Sequence, residues 1–300
     1  MEVPRSGTAM RYCPSVSRLV ELPDKGRLIV ATDVQGNLTD FERVARVFEE
    51  ATAESADTVL VVTGDLVHGP EIPEQHWPDY LGSYFHADSA RVLDRAEQLA
   101  KRYPGRVHYL IGNHEHAHVG GPVVSKFFGN EAQRLEQLLG AERTAGARQW
   151  IASWPLLAVA RKAGLLMLHG APNALIQSAA DLEAIELAPA GGPEGVVDEL
   201  LAELLWARTA STVRARTFLN AIDSRLRVAL FGHDVVRGGY AIDREPLLCI
   251  STSFGCHDGD KLYVDWDLSR PASSAKEVAR DGLQPLYPEC SPVYRRLPTA

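Results

Sequence analysis

The chain has 300 residues, of which 45% are hydrophobic and 23% charged, and its formal net charge at pH 7 is -8. This composition is typical of a globular protein with one substantial core, and its acidity argues against a broad surface for nucleic acid or for an anionic membrane. No apolar run is long enough to predict a membrane span, and Met1 to Val20 lacks the apolar centre of a signal peptide. We therefore expect a cytoplasmic protein without a nucleic-acid or membrane partner.

One domain with an irregular segment at each end is predicted. Residues 1–24 show no clear periodicity, and residues 269–300 carry five prolines. We expect an N-terminal lead-in over 1–24, a single domain over 25–268 and a proline-containing tail over 269–300. The four cysteines have no paired spacing and predict no disulfide framework: Cys13, Cys249, Cys256 and Cys290.

Five short apolar runs predict strands that are buried on both faces, because they carry β-branched or leucine side chains with almost no polar alternation. Each run stops at a residue that can bind a metal ion or contact a phosphate. In open α/β sheets, ligand sites gather at the carboxyl ends of such strands. Chemistry is therefore expected where these runs end: Arg27–Thr32 before Asp33, Thr58–Thr63 before Gly64-Asp65, Val107–Ile111 before Gly112-Asn113, Gly164–Leu168 before His169, and Arg227–Phe231 before Gly232-His233.

Helical patterns alternate with these strands and favour a layered α/β core. Thr39-Asp40-Phe41-Glu42 matches a capping box, which predicts a helix after the first strand. A second helix is predicted to begin near Ser89 and to end before Pro104. Later helices are predicted over about 130–140, 196–207 and 211–222.

A long structured loop is predicted over residues 70–88, which combine prolines and aromatics without a clear period. Loops of this length in compact domains are often functional. Trp77, Tyr80 and Tyr84 are candidates either for a recognition wall beside a site or for anchors of the loop itself.

Side chains at the strand ends form an inventory suited to two divalent cations. Two cations about 3.5 to 4 Å apart can clamp a phosphate and neutralise transition-state charge, and they need oxygen and imidazole ligands with one bridging carboxylate. Imidazole and carboxylate suit manganese, iron or zinc, and no cysteine is placed for a thiolate site. The candidates are Asp33 and Gln35 beside one metal, Asp65 between the two, and Asn113, His169 and His233 around the other.

At these residues the chain resembles the calcineurin-like metallophosphoesterases, and more narrowly the phosphoprotein phosphatase family of Ser/Thr phosphatases. The resemblance covers roughly residues 25–268 and implies an α/β fold in which two mixed sheets form a β-sandwich flanked by helices, in four layers α/β/β/α. Five motifs in the same order carry it: Thr32-Asp33-Val34-Gln35-Gly36-Asn37, Gly64-Asp65-Leu66-Val67, Gly112-Asn113-His114-Glu115, His169-Gly170-Ala171-Pro172 and Gly232-His233.

The resemblance implies a catalytic domain over 25–268 with two divalent metal ions, Mn²⁺ ahead of iron or zinc. A hydroxide that bridges the two ions would attack the phosphorus, and His114 would give a proton to the leaving alkoxide. An adjacent carboxylate is expected to favour the protonated imidazole. Glu115 is expected to be a structural acceptor. The implied ligands are Asp33 and Gln35 for the first metal, Asp65 as the bridge, and Asn113, His169 and His233 for the second, with Asn113 also in contact with substrate.

Two positions depart from the family pattern. Gln35 stands where the family has a histidine, and an amide oxygen is a weaker ligand than an imidazole. His68-Gly69-Pro70 stands where an aspartate that supports the proton donor and an arginine that grips phosphate are expected. His68 is therefore a candidate for assisting proton transfer, and His116 and His118 are candidates for further imidazoles near the site. Arg208 and Arg237 are the first candidates for the missing arginine, ahead of Arg214 and Arg216.

The leading functional hypothesis is a metal-dependent phosphomonoesterase with phosphoserine or phosphothreonine as the implied substrate, on a phosphorylated protein or a small phosphoester. Hydrolysis of diadenosine polyphosphates or other nucleotides is the alternative reaction, because a related branch of the superfamily catalyses it. A weakly active or inactive scaffold that binds phosphorylated partners is the alternative of another class. It is motivated by Gln35 and by the lost aspartate and arginine.

Overall fold

The computed structural model describes residues 17–187 and 199–294. Two mixed β-sheets carry helices on their outer faces. The strands are β1 Leu19–Glu21, β2 Arg27–Ala31, β3 Val59–Val62, β4 Val107–Tyr109, β5 Leu157–Ala160, β6 Leu165–Leu168, β7 Val228–Phe231, β8 Tyr240–Ala241, β9 Leu247–Ile250, β10 Leu262–Asp267 and β11 Leu283–Pro285. The helices are α1 Leu38–Glu54, α2 Ser89–Arg102, α3 Asn113–His116, α4 Glu131–Ala152, α5 Ala179–Glu183, α6 Glu199–Leu205, α7 Thr212–Ile222 and α8 Ala275–Gly282.

One sheet has the order β1-β5-β6-β7-β9-β8 and the other the order β11-β10-β2-β3-β4. Strands β2, β3 and β4 are parallel, as are β6, β7 and β9. All five predicted strands are therefore confirmed. Their parallel arrangement brings the carboxyl ends within each sheet to one edge, which is where the predicted site residues lie.

Strands β3, β5, β6, β7 and β9 are apolar and buried on both faces, because the sheets are covered on both sides. Leu28 and Val30 of β2 share a buried cluster with Met167 of β6 and Leu230 of β7, which places this core between the sheets. The alternate residues of the same strands, such as Ile29, join a second core with Phe41 of α1. The period of two thus separates an inner core from outer helix-facing cores and gives the expected helix, sheet, sheet, helix layers.

The predicted helices are found with shifted ends. Helix α1 begins after Asn37, whose side chain accepts from the Asp40 backbone N–H, so the predicted capping box at Thr39 is wrong by two residues. Helix α4 is longer than predicted and runs past a break at Gly140, which has φ 73° and ψ 167°. Helices α2 and α7 are confirmed, and α6 matches the described part of the run 196–207, whose first three residues lie outside the described residues.

Both ends were expected to be irregular, and this expectation is wrong for their described parts. Strand β1 pairs in parallel with β5, and the neighbouring Arg18 guanidinium is buried and donates to the Ile185 carbonyl. Helix α8 packs on the sheet through Ala275 and Val278, and β11 adds an edge strand beside β10. These elements are too short for their periodicity to stand out in sequence. Residues 1–16, with Cys13, and 295–300 lie outside the described residues.

The remaining cysteines are free thiols, and Cys249 is buried as predicted. Among the helices of the described ranges, none combines the length and the apolar content that a membrane crossing requires.

A buried ion pair between Lys261 and Asp40 ties the start of α1 to the far end of the chain. Lys261 Nζ lies 2.7 Å from Asp40 Oδ2, and both side chains are buried. The same carboxylate accepts from Asn37, Ser253 and Tyr287. It therefore braces the loop that carries Asp33 and Gln35.

Replacing Lys261 with methionine should lower the free energy of unfolding by about 3 to 5 kcal/mol, because it leaves a buried carboxylate without its counter-ion. Urea denaturation of the purified variant measures this loss. The double variant Asp40→Asn/Lys261→Met should recover part of the stability. A loss below about 1 kcal/mol for Lys261→Met would instead place the pair among weak surface bridges.

Candidate metal centre

Five non-glycine residues with positive φ stand at the predicted site positions. L-residues other than glycine rarely adopt this left-handed conformation, and such strained residues cluster at functional sites at a cost of about 1 to 3 kcal/mol each. Their φ angles are 49° at Asp33, 46° at Gln35, 55° at Asp65, 67° at His68 and 64° at His233. The fold therefore holds these side chains in directions that a relaxed turn would not give.

Asn113, His169, His233 and Asp65 form the tightest group of candidate ligands. His169 Nε2 lies 2.9 Å from Asn113 Oδ1, 3.1 Å from His233 Nδ1 and 3.3 Å from Asp65 Oδ1. His169 Nδ1 donates to the Thr63 carbonyl at 2.9 Å, so in the neutral imidazole Nε2 carries a lone pair. Two carboxylate or amide oxygens and two imidazole nitrogens therefore converge, and a divalent cation fits their chemistry.

Asp33 and Gln35 lie beside Asp65 on the other side. The Asp33 carboxylate accepts from the His233 backbone N–H at 3.1 Å, and Gln35 Nε2 donates to Asp65 Oδ2 at 3.1 Å. Gln35 Oε1 is buried and has no hydrogen-bond partner within the described part of the chain. An amide oxygen with free lone pairs is the atom that a cation would use, so the residues of the first position also fit a metal ion.

Electrostatics within the group link the two carboxylates. Burial and the charge of Asp65 raise the pKa of Asp33 well above its usual range. Burial also opposes ionisation of Asp65, but His169, His114 and His233 together lower its pKa below the usual range. Burial and the neighbouring His169 lower the pKa of His233 to about 3, which keeps its imidazole neutral and able to bind a metal. The group thus favours an ionised Asp65 beside a neutral His233.

Two glycines are required because the backbone lies against the carboxylates. A Cβ on Gly112 would lie 2.3 Å from Asp65 Oδ1, and a Cβ on Gly232 would lie 2.1 Å from Asp33 Oδ2. Neither distance is compatible with a side chain. At both positions the missing side chain therefore lets the main chain approach the centre closely.

Glu115 is a structural acceptor, as predicted. Its carboxylate is fully buried and accepts from the backbone N–H groups of Asp65 at 2.8 Å, Leu66 at 2.8 Å and Gly112 at 3.0 Å. Burial and the charge of Asp65 raise the pKa of Glu115 above its usual range, although these hydrogen bonds act to lower it. Glu115 therefore joins the turn after β3 to the turn after β4.

His114 lies between the candidate metal residues and a second set of imidazoles. Its Nε2 is 3.7 Å from Asp65 Oδ2, and its Nδ1 is 3.1 Å from His68 Nδ1 and 3.4 Å from Glu131 Oε2. Burial lowers the pKa of His114 to about 4, although Asp65 acts to raise it. The expectation that a neighbouring carboxylate would favour the protonated form is therefore wrong in its net effect, because burial of the ring outweighs the attraction.

The two candidate arginines have different positions. Arg208 donates through Nη1 to the His233 carbonyl at 3.2 Å and to Asp234 Oδ1 at 2.7 Å, and its side chain is 58% exposed beside the centre. Arg237 donates to the Tyr80 carbonyl at 3.1 Å and so contacts the long loop. Arg208 is placed to reach a ligand of the centre, whereas Arg237 is placed to hold the loop.

Lys126 is a cation near the centre that the sequence motifs do not indicate. Its Nζ lies 4.1 Å from the centre of the Phe254 ring, and the Phe254 backbone donates to the Asp33 carbonyl at 3.1 Å. Lys126 is exposed at the surface, yet enough protein surrounds Nζ that burial lowers its pKa, while Asp65 and Asp33 act to raise it. The available signal was its position, since it is the only Lys or Arg between Arg106 and Arg134 and follows the third motif.

The long loop 70–88 is ordered by its own aromatic residues. Trp77 donates from Nε1 to the Gly82 carbonyl at 2.9 Å and packs edge-on against Tyr84 and Phe85. Trp77 therefore anchors the loop. Tyr80 is 57% exposed, so the recognition-wall alternative remains for this residue.

Replacing Gln35 with histidine should tighten metal binding at the first position by about tenfold, or about 1.4 kcal/mol, because imidazole is a stronger ligand than an amide oxygen for manganese or zinc. Titration of the metal-free protein with Mn²⁺ measures the change. Gln75→His, on the exposed surface of the long loop, is the matched control. Unchanged affinity in Gln35→His would place this side chain outside the metal's reach.

Comparison with known proteins agrees with this geometry. The model of the calcineurin-like phosphoesterase family matches residues 26–266. A protein serine/threonine phosphatase from Saccharomyces cerevisiae with similarity to human phosphatase PP5 shares 19% identity and a TM-score of 0.57, over 79% of this chain and 71% of its own. A cold-active protein-tyrosine phosphatase from a psychrophilic Shewanella species has 15% sequence identity and a TM-score of 0.56. The match covers 84% of this chain and 78% of that protein.

None of the curated proteins matches the chain. At these identities the two solved structures show that the fold is shared, whereas the family model covers most of the chain. The residues that the family model matches include all five strand-end motifs and the candidate ligands. The chain belongs to the calcineurin-like phosphoesterase family.

Proposed function

We propose that the protein is a metal-dependent phosphomonoesterase that acts on phosphoserine or phosphothreonine in a protein or peptide. The grouping of Asn113 Oδ1, His233 Nδ1 and Asp65 Oδ1 within 3.3 Å of His169 Nε2 supports this proposal most directly. Oxygen and imidazole nitrogen atoms in this arrangement suit a divalent cation, and a cation at the strand ends is what an acidic protein needs to attract phosphate.

In this proposal two metal sites would share Asp65, and Asp33 and Gln35 would complete one site while Asn113, His169 and His233 would complete the other. When bound, the two divalent cations, Mn²⁺ before iron or zinc, supply positive charge for the phosphate and an activated water nucleophile. His114 donates the proton to the leaving alkoxide. Burial lowers the pKa of His114, and a phosphate dianion beside Nε2 would act in the opposite direction, since an opposite charge raises the pKa of an imidazole.

Lys126 and Arg208 take the part of the arginine that the second motif lacks. Both charges interact with residues of the centre: Lys126 acts to lower the pKa of Asp33, Asp65 acts to raise the pKa of Lys126, and Arg208 acts to lower the pKa of His233. Arg208 also lies one hydrogen bond from the His233 backbone. A phosphate in the centre would therefore meet two side-chain cations, Lys126 and Arg208.

Replacing Lys126 with alanine should lower kcat/KM for a phosphopeptide by about 10- to 100-fold, the range expected for one charge-assisted hydrogen bond of about 1.5 to 3 kcal/mol. Lys126→Arg should keep most of the activity. Lys101→Ala, an exposed lysine on α2, serves as the control. Steady-state kinetics measure the three variants, and an unaffected Lys126→Ala enzyme would remove this residue from the phosphate site.

Substrate profiling tests the proposed reaction. Phosphoserine, phosphothreonine and phosphotyrosine peptides, p-nitrophenyl phosphate, bis-p-nitrophenyl phosphate and diadenosine polyphosphates should be compared at one metal concentration. We expect turnover of the phosphoserine and phosphothreonine peptides. Preference for the phosphotyrosine peptide would instead indicate a protein-tyrosine phosphatase, the activity in the name of the Shewanella protein. Turnover confined to dinucleotides would overturn the phosphomonoesterase proposal.

A further inference from the structure

Three buried imidazoles form a line that leads away from the centre. His114 Nδ1 lies 3.1 Å from His68 Nδ1, and His68 Nε2 lies 2.9 Å from His118 Nε2. His118 Nδ1 then lies 2.9 Å from Glu136 Oε1 on α4. The three imidazole side chains are at most 4% exposed, so each ring nitrogen depends on its neighbour for a hydrogen bond.

The outer end of the line sets the direction of its hydrogen bonds. Glu136 accepts two bonds from Arg148, at 2.8 and 2.6 Å. Burial acts to raise the pKa of Glu136, but its contacts with His118 and Arg148 lower it, and an ionised carboxylate can only accept. His118 Nδ1 therefore carries the proton.

When the three imidazoles are neutral, the remaining tautomers follow one by one along the line, because a neutral imidazole has one donor and one acceptor nitrogen. His118 Nε2 accepts, so His68 Nε2 donates to it. His68 Nδ1 is then an acceptor, and His114 Nδ1 must donate. The lone pair of His114 is left on Nε2, the nitrogen that faces Asp65.

The contacts of His114, at the inner end of the line, independently support a proton on Nδ1 and a lone pair on Nε2. Gln35 Nε2, an amide donor, lies 3.4 Å from His114 Nε2 while it also donates to Asp65 Oδ2. A reversed line would place an N–H of His114 against the N–H₂ of Gln35. Glu131 Oε2, buried and without a hydrogen-bond partner among the described residues, lies 3.4 Å from His114 Nδ1 and favours a proton there.

We propose that His68, held by His118 and Glu136, is a positioning residue that keeps His114 in the Nδ1–H tautomer with Nε2 directed at the centre. The role in turnover rests on the proposed function, but the tautomer does not. His68 stands where the family pattern has a supporting aspartate, and an imidazole whose acceptor nitrogen is fixed from outside by a carboxylate takes over that support.

The experiment compares His68→Ala, His68→Asp and Glu136→Gln with wild type, using the zinc-loaded protein and His76→Ala as an exposed control. Nitrogen-15 NMR of the ring nitrogens reports the tautomer of His114. We expect a protonated Nδ1 and an unprotonated Nε2 in wild type, and mixed tautomers in His68→Ala. His68→Asp should restore the wild-type tautomer, because a carboxylate also accepts from Nδ1.

Kinetics supply the second measurement. We expect kcat to fall about 10- to 100-fold in His68→Ala with KM within about twofold, a smaller fall in Glu136→Gln, and recovery in His68→Asp. A protonated Nε2 in wild type, or unchanged kcat and tautomer in His68→Ala, would overturn the proposal. So would loss of one bound metal ion in His68→Ala, since His68, His114 and Glu131 would then be metal ligands themselves. If no phosphoester is turned over, the NMR result alone still decides the tautomer.

Discussion

Replacing Asp65 with asparagine should reduce kcat by about 10³-fold or more and remove most of the bound metal. Loss of a single charge-stabilising group in an active site costs about 10²- to 10³-fold, and Asp65 also contacts both halves of the centre. Its Oδ1 lies 3.3 Å from His169 Nε2, and its Oδ2 accepts from Gln35. The amide keeps the shape of the side chain but loses the negative charge that both cations would share.

Metal analysis and steady-state kinetics on one preparation measure both effects. Asp57→Asn, at an exposed position after α1, is the matched control and should keep metal and activity. A variant at Asp65 that binds two ions and turns over at the wild-type rate would show that this carboxylate does not bridge. Thermal unfolding of the metal-free proteins separates metal loss from loss of the fold.

Replacing His114 with alanine should keep the bound metal but lower kcat by about 10²- to 10⁴-fold, the range for removal of a general acid. Its ring Nε2 is 3.7 Å from Asp65 Oδ2, beside the candidate ligands and outside the group that surrounds His169. The loss should depend on the leaving group. A serine alkoxide needs a proton, whereas p-nitrophenolate leaves readily without one, so p-nitrophenyl phosphate should be affected less than a phosphoserine peptide.

The same two substrates give the contradicting outcome. Equal loss of kcat with both substrates would mean that His114 does not act by protonating the leaving group. Metal loss equal to that of Asp65→Asn would mean that His114 holds the centre together, and the role of proton donor would pass to another group.

Sequence could predict those parts of the molecule that depend on local pattern. The five buried strands were recognisable because each is apolar on both faces. Each motif follows its strand directly, so residues such as Asp33 and His233 could be assigned to the carboxyl edge of a sheet from the order of residues alone. Glu115, expected to be a structural acceptor, accepts from the backbone N–H groups of Asp65 and Leu66 in the turn after β3.

The rest depends on contacts between segments that are distant in sequence. Lys126 reaches the centre through Phe254, and the carboxylate of Glu136 acts on His114 through two other histidines. No spacing rule connects such residues. The short elements β1, β11 and α8 were missed for a similar reason, since their partners in β5 and β10 stabilise them more than their own sequence does.

Measuring metal stoichiometry together with turnover tests most directly whether the protein is a dinuclear phosphoesterase. Protein stripped of metal should be titrated with Mn²⁺ while bound metal and hydrolysis of a phosphoserine peptide are followed together. We expect two ions per chain, the tighter at Asn113, His169 and His233 and the weaker at Asp33 and Gln35, with activity rising as the second ion binds. Binding of the phosphopeptide without turnover at saturating metal, or no bound metal at all, would contradict a dinuclear phosphoesterase and favour a phosphate-binding scaffold.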